Sequence, residues 1–345
     1  MRAAALGTVA AAIAAALLVP TSPSSRLLGD GGRCPSGSGA EIVTRVQLPG
    51  RPGFLLLRDR TLWVAIASDQ PGGRGQLARV DARTGRIERL FRLPNNPYRI
   101  AYGFGSLWVT GEVRPASRRF AGVLRLDPRT GRVLRVIRGP VLLGAAIAAT
   151  PEGIWVGGGD VYAPGHPNQA GVRYVFEIDP RRNAVVRRVR LKATTVIDLL
   201  AEHRSLWATG WGGVVKLSPT GRVVFRQPFY GSGWALARAS GAVWVAQPFS
   251  GTRDPRTQRR ARRLLRVTIR PRRLTTVELE VAPGDVDAED GIVWLGVNGL
   301  ARIEGRETPP TPQTLTLDVH PNRIAAFRGG AWIDELGTRT LTKIC

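Results

Sequence analysis

Seven times along this chain a tryptophan stands in a short apolar segment directly after a tight turn, a recurrence that suits antiparallel strands and no arrangement of helices. The tryptophans are Trp63, Trp108, Trp155, Trp207, Trp244, Trp294 and Trp332, spaced 37 to 52 residues apart. The turns ahead of them are Asp59-Arg60, Gly103-Phe104-Gly105, Pro151-Glu152-Gly153, Glu202-His203-Arg204, Ser240-Gly241, Glu289-Asp290-Gly291 and Gly329-Gly330. Turns of this composition join two antiparallel strands. Residues 103–139, GFGSLWVTGEVRPASRRFAGVLRLDPRTGRVLRVIRG, give the unit in its cleanest form: a turn, the tryptophan strand, a variable loop, a strand ending at Asp127, a second turn and an alternating strand.

The second turn also recurs, at Asp81 to Arg86, at Asp179-Pro180 and at Ser218 to Arg222. There an Asp or Ser hydrogen-bonds its own turn, Pro fits an early position, and Gly accepts positive φ where the hairpin reverses. A repeat of about 40 to 50 residues holding four strands is a propeller blade. The expected fold is therefore all-β, a seven-bladed β-propeller of four-stranded antiparallel blades over residues 41–345. The last blade offers only three strands, Asn322 to Phe327, Ala331 to Glu335 and Thr340 to Ile344, so the strand Ile42 to Leu48 is expected to complete it and close the ring. That closure brings Cys34 and Cys345, the two cysteines of the chain, near each other. They are read as a disulfide, with two unpaired thiols as the alternative.

Arg2 precedes an apolar run from Ala3 to Val19, closed by Pro20. This is a targeting segment, either a cleaved signal peptide or an uncleaved membrane anchor, and residues 21–40 form a Ser/Gly/Pro-rich linker. The remainder is expected outside the cytoplasm. With 345 residues, 43% of them hydrophobic, the chain can bury a large core. Its 50 basic residues face 26 acidic ones, and only Lys192, Lys216 and Lys343 are lysines. An arginine skew beside abundant Ala and Gly fits a GC-rich genome and a solvated basic surface, so a nucleic-acid partner is not expected.

Function should lie where the framework does not need the side chains, on the face formed by loops at the channel mouth. Aligning the copies on tryptophan places Phe54, Arg99, Ala146, Asp198, Ala235, Asp285 and Arg323 at one equivalent position of the inner strands. Arg99, Asp198, Asp285 and Arg323 either hold a polar ligand or pair with one another. Loops after the tryptophans add Asp69, Glu112, Asp160, Gln247, Asn298, Asp334 and Glu335. Trp211 and Trp234 lie outside the blade register, where an aromatic beside charged groups suits a sugar, a peptide or an amphipathic small molecule. Arg253 to Arg273 of the fifth blade reads as a loop with ten arginines and one acid. Within it, Arg256, Arg259, Arg260, Arg262 and Arg263 are candidates for an anionic partner, a solvated insertion being the other reading. The glycines 157–159 are no phosphate loop, His166, His203 and His320 show no metal-ligand spacing, and no nucleophile motif appears. No cofactor and no metal are expected, and the chain is taken as a monomer.

The pattern G-x-LWV…LRLDPRTGRVL resembles bacterial YVTN-type and streptogramin-lyase-like seven-bladed β-propellers, from about Glu41 to Cys345. The resemblance implies a binding platform, since most such propellers are not enzymes. The streptogramin lyases in the group place a general-base His before the last-blade tryptophan and a Glu after it. Here those slots hold Asn322 and Leu336, with His320 and Glu335 missing them by two positions and one. Strand neighbours alternate faces, so Glu335 points the other way unless a bulge corrects it. The expectation is a non-catalytic binding or scaffolding module, with a lyase or hydrolase at the channel mouth as the competing class.

Overall fold

The computed structural model describes residues 34, 40–68, 73–112, 122–138, 146–158, 174–192, 194, 196–250, 259–307 and 309–345. The chain divides into two compact units, Met1–Gly31 and Gly32–Cys345, and all the described residues belong to the second. The targeting segment, most of the linker, and Asp69, Asp160, His166 and Arg256 lie outside the described residues.

The described strands form seven four-stranded antiparallel sheets. Six take their strands in sequence order, and the seventh adds the N-terminal strand Ile42–Gln47 outside Thr340–Ile344. Inner strands of successive blades lie side by side, and Arg51–Arg58 of blade 1 meets Pro321–Phe327 of blade 7 to complete the circle. This is the expected seven-bladed propeller with the expected closure. Cys34 and Cys345 are joined by a disulfide, their Cα atoms 5.1 Å apart.

The core is divided into seven apolar clusters, one at each interface between neighbouring blades. In each, the tryptophan comes from the leading blade: Trp63 packs between blades 1 and 2, Trp108 between 2 and 3, and so on to Trp332 between 7 and 1. All seven are at most 4% exposed. A single sheet has two faces to bury, and the large indole fills the wedge that opens as blades splay outward.

Directly across from the indole, on the third strand, six blades carry a cation: Arg79, Arg125, Lys216, Arg266, Arg302 and Lys343. Several stack on the ring, with Arg125 5.1 Å from Trp108 and Lys216 5.3 Å from Trp207. Three of the heads reach the second turn of the next blade, while Arg79, Lys216 and Arg302 pair within their own blades with Glu88, Glu202 and Gln313. Arg125 donates to Pro180 O at 2.7 Å and Asn183 Oδ1 at 2.8 Å, Arg266 to Glu307 O at 3.3 Å, and Lys343 to Arg83 O at 3.2 Å. Blade 3 has Glu177 opposite Trp155 instead, and Arg187 from its outer strand pairs with Glu177 and donates to Pro219 O of blade 4. Arg125, Arg187 and Arg266, attributed above to a solvated surface, therefore clasp one blade to the next. Arg125→Ala should lower stability by about 2–3 kcal/mol, read as the midpoint of urea unfolding. A loss below about 0.5 kcal/mol would mean that the clasp carries no load.

The turns follow the expected chemistry. Asp81 Oδ1 accepts from the N–H of Arg83 and Thr84, Asp127 Oδ1 from Arg129 and Thr130, and Gly85 takes φ 76°. One expectation fails: Arg259–Ile269 is an eleven-residue strand, not part of a loop. Ala261, Leu264, Leu265 and Val267 are buried along it, and the nine-residue Ala242–Ser250 beside it supplies the ladder. The arginines between these apolar residues hid a half-buried strand.

Candidate functional site

The four charged residues of the inner-strand ring meet at the channel mouth. Arg99, on Asn96–Gly103 of blade 2, is 8% exposed, and its Nη1 lies 3.3 Å from Asp198 Oδ1 of blade 4. It reaches past blade 3 because the equivalent residue there is Ala146, and its guanidinium sits 4.7 Å from the Phe54 ring of blade 1. Arg323 of blade 7 places Nη1 3.3 Å from Asp285 Oδ1 of blade 6, and Arg323 Nε is buried with no hydrogen-bond partner. Burial pushes Arg99 below the usual guanidinium range, opposed by Asp198 and Asp285 and aided by Arg323, so the two pairs share one field. Burial likewise pushes the Asp198 carboxyl up, against Arg99 and a backbone N–H.

Both aspartates also serve the framework. Asp198 Oδ2 accepts from Leu236 N at 2.9 Å and Asp285 Oδ2 from Ile324 N at 2.9 Å, each on the next blade's inner strand. Two residues along the same face, Asp287 Oδ2 accepts from Ala326 N at 2.8 Å. Inner strands are sheet edges with unpaired amides, and these carboxylates satisfy them.

Asp334 joins the cluster from the second strand of blade 7. It is 1% exposed, accepts from Arg323 N, and takes Asn322 Nδ2 at 3.1 Å. Burial pushes Asp334 and Asp287 up to about 7 each, with the charge of Asp285 adding to both. A carboxyl whose folded pKa lies above its unfolded value of 3.8 stabilises the fold fully below pH 4. That contribution is lost as pH rises through about 7. Asp334→Asn keeps an acceptor for Arg323 N and, with the Asn322 amide turned over, a donor toward it. The difference between its Tm and the parent's should shift in its favour by about 3 °C from pH 5 to pH 8. A parallel loss at both pH values would show that Asp334 carries its charge at no cost.

A second feature of the loop face lies at blades 4 and 5. Trp234 meets Phe249 edge-on, ring centroids 5.9 Å apart, and the backbone of Ser232 bridges Trp211 to Phe249. Gln247, 2% exposed, donates Nε2 to Tyr230 O at 2.8 Å, and Tyr230 itself is 66% exposed. Trp211 and Trp234 are half-buried. Arg260 stands opposite Phe249 in the ladder and Arg259 opposite Ser250, while Arg262 and Arg263 are exposed and Arg263 Nε lies 2.9 Å from Glu278 Oε1. The structure thus joins two groups that the sequence held apart, the extra tryptophans and the arginine run, through Phe249. Tyr230 and Phe249 were missed, although the glycine-rich link Tyr230-Gly231-Ser232-Gly233-Trp234 marks a segment free of the blade pattern.

His320 and Glu335 do not meet as a pair. A register shift occurs between Pro321 and Arg323, and it leaves Asp334, not Glu335, opposite Arg323. Glu335 Oε1 accepts from Thr342 Oγ1 and lies 3.4 Å from Arg45 Nε on the outermost strand, and His320 is exposed with its backbone O accepting Leu336 N. Among the described residues no group of three His, Cys, Asp or Glu side chains has metal-site geometry.

No family model matches the sequence, and no curated protein does. The fold is similar to several solved structures. The Pan2 WD40 domain of Neurospora crassa aligns with TM-score 0.66 at 12% identity, over 88% of this chain and 94% of that one. BamB from Moraxella catarrhalis aligns with TM-score 0.57 at 11% identity, over 89% and 98%. Kuenenia stuttgartiensis hydrazine synthase aligns with TM-score 0.63 at 12% identity, over 87% and 97%. At such identities the likeness is one of fold alone.

Proposed function

We propose that this chain is an exported, non-catalytic binding module of the YVTN and streptogramin-lyase-like kind, working from its loop face. The first twenty residues direct it across the cytoplasmic membrane and hold it to, or release it from, the outer side. Its main support is the aromatic shelf of Trp211, Tyr230 and Trp234, which the blade cores do not use and which stands beside a charged channel mouth. Aromatic rings offering an exposed face and a polar edge suit a glycan, a peptide or an amphipathic small molecule. The disulfide supports an oxidising compartment.

A thermal-shift screen of sugars, peptides, nucleotides, metals and macrolactones on the full chain tests the proposal. A hit should raise Tm, and its effect should vanish in Trp211→Ala and in Tyr230→Ala while both variants unfold within about 2 °C of the parent. A hit indifferent to both substitutions would move binding away from the shelf. Turnover of a macrolactone that is lost in His320→Ala would instead make the chain an enzyme.

A further inference from the structure

We propose that the face opposite the loops docks onto anionic lipid headgroups, so that the channel mouth and aromatic shelf point away from the bilayer. This rests on the membrane-held form of the exported chain proposed above.

Two independent observations converge on that face. The first is where the chain joins the propeller. Cys34 is bonded to Cys345 at the end of the third strand of blade 7 and lies against Gly329 of that blade's hairpin, where an added Cβ would stand 3.3 Å from the Cys34 Cβ. Both positions belong to the turn face, so the disulfide anchors the N-terminal end of the propeller unit on this side.

The second is what the turn face carries. The second turns of blades 1 to 3 present Arg83, Arg86, Arg129, Arg132, Arg181 and Arg182, all exposed. The acids of these turns offset them only in part, Asp179 Oδ2 lying 3.6 Å from Arg182 Nε. Asp81, Asp127 and Asp179 are only partly exposed and turn Oδ1 inward onto the backbone N–H groups of their own turns. The turns are held by the clasps from the preceding blade, such as Arg125 on Pro180 O. Exposed arginines spread across one face on held turns, each with a planar fork of donors, match a plane of phosphodiester oxygens better than a single concave ligand. Glu289, Asp290 and Glu304 of blade 6 are exposed on the same face, so blades 1 to 3 make the contact and blade 6 stands clear.

The test uses the full chain, its native disulfide intact, with an environment-sensitive label at Thr130→Cys on the turn face or at Leu336→Cys on the loop face. Pelleting with phosphatidylcholine vesicles reads the attachment alone. On vesicles doped with phosphatidylglycerol, a headgroup-linked quencher should quench the Thr130 label and leave the Leu336 label bright. On pure phosphatidylcholine neither should be quenched. An arginine near such a surface favours docking about fivefold. The variant R129E/R132E/R181E/R182E should therefore pellet as the parent does and lose the quenching difference between the lipids. About 1 M salt should do the same to the unmodified chain, a check that needs no folded variant.

Equal brightness of the Thr130 label on both lipids in a chain that pellets overturns the docking, as does quenching that survives both the reversal and the salt. A chain that fails to pellet with phosphatidylcholine refutes the attachment. Docking then stands only if phosphatidylglycerol still pellets the chain and quenches Thr130, and falls otherwise.

Discussion

Asp285→Ala is expected to destabilise the propeller by about 4 kcal/mol, because it strips one buried charge of its partner and one buried amide of its acceptor. Asp285 Oδ1 faces Arg323 Nη1 at 3.3 Å, and Oδ2 takes Ile324 N at 2.9 Å. Among the described residues Arg323 Nε has no hydrogen-bond partner, so the guanidinium has little to fall back on. For a domain of this size the loss corresponds to a fall in Tm of about 6 °C. A second readout separates charge from packing. The charge of Asp285 helps raise Asp287 and Asp334 to about 7, so its removal should lower both and weaken the decline of stability between pH 5 and 8. A variant that loses less than about 1 kcal/mol would show that the pair is solvated rather than buried.

Cys345→Ser should have the larger effect. The bridge spans a sequence separation of 311 residues, and the chain-entropy model assigns about 5 kcal/mol to a closure of that length as an upper figure. A fall in Tm of up to about 8 °C follows. The ring should still form, since Ile42–Gln47 remains paired with Thr340–Ile344, and far-ultraviolet circular dichroism at room temperature should be unchanged. Reductant added to the parent should reproduce the effect. If Tm is indifferent to both, strand pairing alone closes the ring.

The frame of the molecule could be read from the sequence because it is written seven times. Tryptophan after a turn, a strand, an Asp or Ser turn with glycine, and a short last blade each carry a local signal, and together they specify blade number and closure. The equivalence of Arg99, Asp198, Asp285 and Arg323 was legible for the same reason. Mutual pairing was one of two readings, and which partner each finds was not legible. Arg99 finds Asp198 two blades away only because Ala146 between them is small, a fact about space rather than spacing. Asp287 and Asn322 carry no repeat signal, since edge amides of an inner strand become a need only once neighbouring blades are side by side. The clasp had a signal that composition obscured. A cation stands two residues before the turn residue at Arg79, Arg125 and Lys216, but in so arginine-rich a chain it reads as background. Arg259–Ile269 was hidden likewise, its buried alternate positions masked by the arginines between them.

Closure by strand and by disulfide together sets how the propeller answers to force. Tension on the chain ahead of Cys34 would, without the bridge, peel Ile42–Gln47 from blade 7 by breaking its hydrogen bonds one after another. With Cys34 bonded to Cys345, the same pull arrives at once on the end of Thr340–Ile344, a strand held on both sides, and on a side chain, Lys343, that is fastened to the next blade through Arg83 O. The weakest strand is taken out of the load path, and the ring resists as a hoop rather than unwinding as a ribbon.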